Sequence, residues 1–318
     1  MGRARPLVLA IDIGGTKTAL ALTRDLPADG FVPVGQIASF PTPRDPTRLL
    51  ELIGATVGRI VPHGEHVVAV GIGAPGPVDV ERGFIASSPN IGWRDVPVAE
   101  LVARELGGVP VVMEDDSNAG ALGEAIAGAG REVDPYAYLP LGTGLGAGII
   151  LEGMVLHGTG GSAGEVGHMA VGHRIGPRCS CGRRNCVEAW CAGAGLARRA
   201  RETWPAARRE DGTRAPRDAA AVFAYARAGD ADAVALVELA RHALATGIAA
   251  ILAAVAPRAV TVGGSIGMSQ RAFVRAAFND ATRLVHRSTG EAVELRAPQL
   301  GDASVLAGAA VLAVRAAS

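Results

Sequence analysis

The feature that most constrains the fold is a strand, a tight glycine turn and a second strand, and it occurs twice. Residues 7–22 read LVLAIDIGGTKTALAL, and residues 136–151 read YAYLPLGTGLGAGIIL. In each segment an apolar run meets a Gly/Thr turn and then resumes, which predicts a hairpin of two buried strands. Two such hairpins, separated by about 130 residues, suggest a duplicated architecture.

Around these hairpins, predicted strands and helices alternate along the chain. Alternation of this kind is typical of an α/β protein whose mostly parallel sheet is covered by helices. The last helix begins near residue 301, with Asp302 or Ser304 placed to cap it. Strands are predicted at 66–73, 109–116 and 258–263, and helices at 46–60, 97–106, 117–130, over most of 190–257, at 269–286 and from 301 to the end.

Composition narrows the possible functions. The 318 residues carry no net charge, which argues against binding to nucleic acid or a membrane surface through bulk charge. Aromatic residues make up only 4%, so the core must be aliphatic and alanine-rich. The basic residues are 30 arginines and one lysine, a genome-wide bias and not by itself a sign of phosphate recognition. No targeting segment is recognised, and we expect a cytoplasmic protein.

Three glycine turns follow apolar strands and are candidate phosphate-binding loops. Glycine lets a backbone approach phosphate closely with free N–H donors, and threonine adds a hydroxyl. Asp12, at the end of the first strand, is placed to hold Mg²⁺ directly or through water. The alternative is that each strand end simply needs glycine to turn, so the prediction depends on the three turns together with Asp12. The turn residues are Gly14, Gly15, Thr16 and Lys17, then Gly142, Thr143 and Gly144, then Gly263 and Gly264.

The four cysteines are concentrated beside a histidine. Cys179, Cys181 and Cys186 lie within eight positions, downstream of His168. The C-x-C spacing is too short for a relaxed disulfide, whereas two thiolates so placed can share one metal ion. Three sulfurs and one nitrogen form a tetrahedral set that suits structural Zn²⁺, with Cys191 or His173 as other choices for the fourth ligand. Free thiols in a loop are the alternative.

Several separate segments resemble those of the ROK family (repressors, open reading frames, kinases). They are LAIDIGGTKTALAL, GIGAPGPVD, LGTGLGAGIILEG, GSAGEVGHMAV and CSCGRRNCVEAW, in the family's order from about residue 7 to the final helix. The resemblance implies an α/β, two-domain actin-like ATPase or sugar kinase fold, which is ribonuclease H-like, with an interdomain cleft. It also implies domains of residues 1–117 plus 301–318 and of residues 118–300, the second carrying a zinc-binding loop.

The resemblance further implies roles for individual residues. VVMEDDSNAGALGE aligns with the family's E-N-D-A-N pattern and puts Asp116 in the position of the general base, although an aspartate at a helix start is otherwise read as an N-cap. His168 occupies the family's G-E-x-G-H position, as both zinc ligand and sugar contact. The glycine turns and Asp12 would bind ATP with Mg²⁺. The other implied sugar contacts are Gly76, Asp115, Glu165 and Glu188, with Ser88 and Asn90 as weaker candidates.

One residue departs from the family pattern. Asp115 stands where the family usually has asparagine, and aspartate only accepts hydrogen bonds and adds charge beside the base. This favours a substrate with extra donors or a positive charge at that edge, such as the 3-amino-hexose kanosamine, with glucose as the second choice. The alternative is that Asp115 binds an ordinary sugar hydroxyl or points elsewhere.

The expected activity is an ATP-dependent hexose 6-kinase. A kinase for N-acylated hexosamines shares every motif above, and polyphosphate is an alternative phosphoryl donor. A sugar-sensing ROK repressor is disfavoured because only about six residues precede the first strand, too few for a DNA-binding domain. A sugar-binding protein without catalysis is disfavoured by Asp116 and the glycine turns. Members of the family are commonly dimers or tetramers, so we expect a homo-oligomer.

Overall fold

The computed structural model describes residues 6–24, 30–88, 91–172, 176–206 and 213–317. Two compact units are present. Unit 1 consists of Met1–Asp134, Gly148–Ala163 and Pro298–Ser318, and unit 2 of Pro135–Ala147 and Gly164–Ala297. The domain boundaries expected at residues 117 and 300 stay a prediction.

The strands are, in chain order, β1 Leu7–Ile13, β2 Lys17–Thr23, β3 Val34–Pro41, β4 Val67–Ala74, β5 Val78–Asp79, β6 Phe84–Ser88, β7 Trp93–Val96, β8 Val111–Asp115, β9 Tyr136–Pro140, β10 Gly148–Leu151, β11 Met154–Val155, β12 Ala259–Gly263 and β13 Glu294–Arg296. The helices are α1 Pro46–Ile60, α2 Val98–Glu105, α3 Asp116–Ala127, α4 Val187–Cys191, α5 Gly193–Thr203, α6 Ala219–Arg227, α7 Ala231–Val255, α8 Gly264–Ser269, α9 Arg271–Leu284, α10 Arg287–Ala292 and α11 Ser304–Ala316. Short 3₁₀ turns occur at Thr159–Gly161, Glu165–His168 and Gly301–Ala303.

The main sheet of unit 1 has the strand order β3-β2-β1-β4-β8. Strands β1, β4 and β8 are parallel, and β2 returns antiparallel to β1 after the first glycine turn. The register pairs Asp12 with Gly73, and Ala74 with Asp115. Because the carboxyl ends of parallel strands meet at one edge, the sheet brings Asp12 and Asp115 to the same edge, where ligands bind in open α/β sheets.

Helices α3 and α11 pack closely against each other and against β4, through small residues. A β-carbon on Gly71 would collide with the carbonyl of Ala309, and one on Gly308 would collide with the carbonyl of Ala119. Such close approach of backbones lets small residues form a tightly packed core that has few aromatic side chains. The close packing fixes α3, whose first residue is Asp116, to the edge of the sheet.

Unit 2 contains the parallel strands β9, β12 and β13. Its long helix α7 contributes a large share of the core, including Leu244, Ile248 and Leu252, which are fully buried. By length and composition alone, α7 would suffice to cross a membrane. Its buried face packs against α4, α6 and α9, which is the environment of a core helix in a globular domain.

The predicted helix at 46–60 and the strand near 66–73 are confirmed closely, as α1 and β4. The cap expected for α11 is wrong: its N-cap is Ala303, without a side-chain hydrogen bond. The Ser304 hydroxyl instead donates to the buried carboxylate of Glu124 at 2.9 Å. Glu124 also accepts from the N–H groups of Gln299 and Leu300, so a side chain of α3 takes the place of the expected cap.

Candidate functional site

The carboxyl edge of unit 1 carries a cluster of acidic side chains. Asp115 ends β8 and Asp116 begins α3, close enough to Asp12 for their charges to interact. Lys17 opposes the charge of Asp12, and Asp302, from the 3₁₀ turn before α11, adds to it. Asp302 was predicted only as a helix cap, because its position beside the glycine turn depends on the packing of the last helix.

Burial and like charges shift the pKa values of this cluster upward. The pKa of Asp12 is raised to about 6, first by desolvation and then by Asp302, against the lowering effect of Lys17. The pKa of Asp116 is raised well above its usual range by desolvation, and the charges of Asp115 and Asp12 raise it further. A carboxyl with such a pKa accepts a proton more readily than an exposed aspartate does.

Asp115, and not Asp116, is the N-cap of α3. Its Oδ1 accepts a hydrogen bond from the N–H of Ser117 at 3.0 Å, while the Ser117 hydroxyl donates to Asp116 Oδ1 at 3.1 Å. A β-carbon on Gly76 would collide with Oδ2 of Asp115, so the APGP loop approaches this carboxylate closely. The capping role of Asp115 leaves the carboxylate of Asp116 for other chemistry.

The first glycine turn is held by a neighbouring strand end. The N–H of Gly14 donates to the carbonyl of Lys17 at 3.0 Å, which closes the turn. Thr42, which follows β3, donates its hydroxyl to the Gly14 carbonyl at 2.7 Å and its N–H to the Thr16 carbonyl at 3.0 Å. Gly15, Thr16 and Lys17 are exposed, so their groups are open to a ligand.

An acid–base pair between the buried Glu114 and the partly exposed His157 was missed in the sequence. Glu114 is 2% exposed, and its Oε2 lies 2.6 Å from Nε2 of His157. Its Oε1 accepts from the N–H of Asp115 at 3.0 Å and from the side-chain amide of Asn118 at 3.1 Å. Glu114 therefore anchors the backbone at the residue before Asp116. His157 had no motif around it, and only the fold brings the two residues together.

In unit 2, the predicted metal ligands lie together. The ligand atoms of His168, Cys179, Cys181 and Cys186 all lie within 4.8 Å of one another. The Sγ atoms of Cys181 and Cys186 are 3.7 Å apart, and Cys179 Sγ is 3.5 Å from Nδ1 of His168. Sulfurs bound to one tetrahedral zinc at about 2.3 Å are separated by about 3.8 Å, so these residues fit the ion.

The other two candidate ligands differ from these four. Cys191 is fully buried in the apolar core of unit 2 and is not part of the group, so the structure does not bring it to the proposed metal site. His173 lies outside the described residues. Burial and neighbouring thiols raise the pKa of Cys186 to about 12, so a bound cation is what would favour its thiolate.

A loop before α4 carries the three cysteine ligands, whereas His168 ends the 3₁₀ turn Glu165–His168. The N–H of Cys179 donates to the carbonyl of Arg183 at 2.8 Å, and Trp190 donates its indole N–H to Oδ1 of Asn185 at 2.8 Å. Asn185 is buried and has a φ of 67°, a conformation that asparagine tolerates better than most residues. No motif in the sequence indicates that Asn185 helps to shape this loop.

The predicted sugar contacts of unit 2 surround the ligand cluster. Glu165 Oε2 lies 3.8 Å from Nε2 of His168, so the two ring nitrogens of that histidine face different groups. Glu188, in α4, accepts the Leu145 N–H at 3.1 Å and the Ser180 hydroxyl at 2.8 Å. Its Oε1 is 3.5 Å from Cys179 Sγ, so the metal ligands and Glu188 form one connected group.

Two residues of the second glycine turn, and the residue that follows the third, line one cavity of about 320 Å³ in unit 2. Gly142 and Thr143 form one wall, and Ser265, which follows the Gly263–Gly264 turn, lies on another. Gly264 has a φ of 74°, and a β-carbon there would contact the Leu141 backbone, so both the conformation and the space require glycine. The volume is at the small end of the range for ligand pockets. The sequence did not indicate its other lining residues, Gly193, Ala194, Asp218, Ala219, Ala220, Phe223, Ile266, Ser269 and Gln270.

Of the two weaker candidate sugar contacts, Ser88 and Asn90, the structure describes only the first. Ser88, at the end of β6, is 1% exposed, and its carbonyl accepts the N–H groups of Ile91 and Gly92. Asn90 lies outside the described residues. The Gly76–Pro77 peptide bond beside Asp115 is cis.

The fold and the two clusters define the class of protein. It is the class of sugar kinases that have the actin-like ATPase fold. A ROK family glucokinase from Streptomyces griseus, solved with glucose and AMPPNP, superimposes with a TM-score of 0.78 and 32% identity over 97% of this chain and 99% of that one. The sequence profile of the ROK family matches residues 8–316. The chain belongs to the ROK family, which confirms both the resemblance and the fold class.

Two curated relatives that match most of this chain are sugar kinases by name. A glucokinase of Streptomyces coelicolor is 35% identical over 321 residues, covering 96% of this chain and 97% of the relative. An N-acetylmannosamine kinase of Escherichia coli is 33% identical over 265 residues, covering 82% and 84%. The two relatives act on different hexoses at similar identity, so identity alone does not distinguish the substrate.

Proposed function

We propose that the protein is an ATP-dependent hexose kinase that phosphorylates the 6-hydroxyl of its sugar, with Asp116 as general base. The observation that carries this proposal is the Asp116 carboxyl at the carboxyl edge of unit 1, with its pKa raised by burial and by two acidic neighbours. The glucokinase relative from Streptomyces coelicolor, which spans nearly the whole chain, supports the same reaction class.

The chemistry asked of Asp116 is proton transfer. A primary alcohol is a poor nucleophile, and it must lose its proton as it attacks the γ-phosphorus. The ionised carboxylate accepts that proton, and a raised pKa makes the transfer more favourable. The Ser117 hydroxyl, which donates to Asp116 Oδ1, orients the carboxylate.

ATP and Mg²⁺ complete the proposal. Asp12 is the residue that would hold the cation, since hard carboxylate oxygens suit Mg²⁺ and the cluster around Asp12 carries excess negative charge. The ion, when bound, neutralises charge on the phosphates. The exposed groups of Gly15, Thr16 and Lys17 would donate to phosphate oxygens. The cavity lined by Gly142 and Thr143 is proposed as a nucleotide-binding feature of unit 2. Gly144 and the Gly263–Gly264 turn are proposed to support the same function.

The zinc ion is proposed to be structural. His168, Cys179, Cys181 and Cys186 would supply a closed set of four ligands, which is typical of structural zinc. Glu188 accepts a hydrogen bond from Ser180, which lies in the loop that carries the cysteines. The shape of that loop therefore determines where this carboxylate points. Glu165 and Glu188 are proposed to accept hydrogen bonds from sugar hydroxyls, and His168, with one ring nitrogen on the zinc, is proposed to donate from the other.

For the sugar, we propose a preference for a 3-amino-hexose such as kanosamine, with glucose second. Asp115 supports this because it places a carboxylate beside Gly76, where relatives of the family usually carry a neutral amide. The Asp115→Asn variant is a clean test, since asparagine caps a helix as well as aspartate does. We expect the ratio of kcat/KM for kanosamine to that for glucose to fall by about tenfold, the value of one charged hydrogen bond. An unchanged ratio would remove the amino-sugar proposal and leave the kinase proposal intact.

An N-acylhexosamine kinase is the second candidate. The N-acetylmannosamine kinase relative, at 33% identity, supports it directly. The two candidates differ in the acyl group that the site must accommodate. A panel containing glucose, kanosamine, mannosamine and the N-acetyl forms of the two amino sugars separates them in one experiment.

The decisive experiment is an ADP-release assay with that panel, on the wild type and on Asp116→Asn. We expect turnover of at least one hexose, reduced 10²–10⁴-fold by the substitution, about the usual contribution of a general base. Asp45→Asn is the matched control, because Asp45 caps α1 away from the acidic cluster and asparagine preserves the cap. Turnover retained in Asp116→Asn would overturn the assignment of the base.

A further inference from the structure

A second cavity of unit 2, of about 760 Å³, is lined by arginines and is separate from the residues assigned above to sugar and nucleotide. It lies beside the cysteine-bearing loop, between that loop and helix α5. Four guanidinium groups and one carboxylate line it, which gives it a net positive charge of three. The charged residues are Arg178, Arg184, Arg198, Arg199 and Glu202.

Glu202 is the one carboxylate among the lining residues, so it balances at most one of the four guanidinium charges. Within the part of the chain that the structure describes, none of the four forms an ion pair, whereas Arg104, Arg241 and Arg287 on other helices do. Arg198 donates to the carbonyl of Arg178, and Arg184 Nη1 donates to the carbonyl of Gly176 at 3.4 Å. Backbone carbonyls hold the side chains in place but leave their charge uncompensated.

Arg199 is the most constrained of the four. Its guanidinium carbon lies 4.3 Å from the centroid of the Trp190 ring, and the indole N–H of Trp190 is itself bonded to Asn185. Its Nε is buried and has no hydrogen-bond partner among the described residues. Burial lowers the pKa of Arg199, with only partial compensation from Glu202. This buried donor, on a guanidinium stacked against Trp190, is available to an acceptor group.

We propose that this cavity binds a small phosphate-bearing anion. Guanidinium groups match the oxygens of phosphate in a planar, two-pronged geometry, and several of them converging on one space favour a ligand with at least two negative charges. The volume lies within the usual range for small-molecule sites. The high arginine content of the chain explains how many arginines it has, but not why four unpaired ones surround one cavity.

The site is connected to the proposed sugar contacts through Ser180. Ser180 and Cys179 line the cavity, and the Ser180 hydroxyl donates to Glu188. An anion that takes this hydroxyl as a donor changes the environment of Glu188. If the proposed kinase function holds, the bound anion therefore alters the KM for the sugar more than kcat. The binding itself does not depend on that function.

The test is calorimetric titration of the full-length protein, saturated with AMPPNP so that the nucleotide site is blocked. The probes are tripolyphosphate for an inorganic source and glucose 6-phosphate for a phosphate ester, at matched ionic strength. We expect one of them to bind, and Arg198→Gln to weaken that binding about tenfold or more through loss of a charge-assisted hydrogen bond. Arg184→Gln, on the exposed loop, gives the same direction of change without touching the core. Arg275→Gln on α9, outside the cavity, should bind as the wild type does.

The outcomes are separable. Binding of tripolyphosphate alone, of the ester alone or of both supports the site and identifies the source of the phosphate. Equal affinity in the wild type and in both cavity variants, or no binding of either probe at about 1 mM, overturns it. Self-association that is lost in Arg198→Gln, without any anion binding, would also overturn it in favour of a protein interface. None of these results depends on turnover, so failure of the kinase proposal is recognised separately.

Discussion

At the scale of single residues, the order of two adjacent aspartates determines their roles. Asp115 has a structural role, because its carboxylate caps α3, whereas Asp116 lies in the first turn of the helix. An aspartate at a helix start is usually read as a cap. Here that interpretation is right for the first aspartate and wrong for the second. The charge of Asp115 nevertheless acts on Asp116 by raising its pKa.

This coupling predicts a pH dependence. The base works when ionised, so kcat/KM should rise with pH through the pKa of Asp116, which lies well above the ordinary aspartate value of 3.8. Asp115→Asn removes one of the charges that raise this pKa, and the acidic limb of the profile should move to lower pH. The shift of the acidic limb is measured from the profile of kcat/KM for one sugar between pH 4.5 and about 8.5. A shift to higher pH, or no shift, would contradict the electrostatic coupling.

His157 provides a second test at the residue level. His157→Ala leaves Oε2 of the buried Glu114 without its 2.6 Å partner, and we expect a loss of about 1–3 kcal/mol in the free energy of unfolding. His157→Gln, which keeps a donor, should recover part of the loss. Urea denaturation measures both, with His63→Ala as the control because His63 is exposed on the same unit. Equal stability of His157→Ala and the control would show that the pair contributes nothing.

At the scale of elements, local patterns predicted the strands and helices that carry their own signals. Helix α1 has an Asp45 cap, a proline in its first turn and a regular apolar face, and its bounds were predicted correctly. Strands β5, β6 and β7 were missed because they are two to five residues long and are stabilised by pairing with one another. Periodicity over so few residues carries little information.

The functional sites differ in the same respect: some have a local signal in the sequence and others do not. Glycine turns and clustered cysteines are contiguous in sequence, so the sequence sufficed to find them. Asp302 and His157 contribute only because α11 and the segment after β11 fold back onto the acidic edge of unit 1. The arginine-lined cavity combines a loop with one face of α5. No short motif indicates it, because its residues share only a position in space.

The cysteine-bearing loop is the element whose stability depends most on a ligand. Residues 176–186 have few buried apolar side chains of their own, so a bound zinc ion would replace a hydrophobic core. We expect Cys181→Ser to lower bound zinc from one equivalent per chain to well below half, measured by atomic emission, and to raise the KM for the sugar. Cys191→Ser is the control, since Cys191 is buried outside the ligand group and its replacement should leave zinc content unchanged. Full zinc retention in a stable Cys181→Ser protein would contradict the ligand assignment.

At the scale of the whole molecule, a chain of zero net charge concentrates negative charge at one edge of unit 1 and positive charge in one cavity of unit 2. Each concentration destabilises the unit that contains it, because like charges repel and desolvation disfavours them. Binding of oppositely charged ligands reduces this destabilisation. Localisation in the cytoplasm stays a prediction from the sequence, and assembly into dimers or tetramers stays a prediction from the family resemblance.

The electrostatic destabilisation at the acidic edge of unit 1 can be measured through the ionisation of Asp12. Its pKa is about 6 in the folded protein against 3.8 ordinarily, so between these values the folded state retains a proton that the unfolded chain has released. Stability therefore falls as pH rises through that window and stays lower above it. Asp12→Asn removes the penalty and also lowers the pKa of Asp116, which acts in the same direction.

We therefore expect metal-free Asp12→Asn to be more stable than the wild type at pH 8, by about 1–2 kcal/mol after allowance for the partial exposure of the carboxyl. The difference should shrink toward pH 4.5. Thermal denaturation in EDTA at pH 4.5, 6 and 8 measures it, with Asp45→Asn as the control. Mg²⁺ should raise the melting temperature of the wild type more than that of Asp12→Asn, since the cation stabilises the ionised carboxylate. Equal stability of the two proteins at every pH would show that the acidic edge carries no electrostatic cost, and the argument for a cation at Asp12 would lose its physical basis.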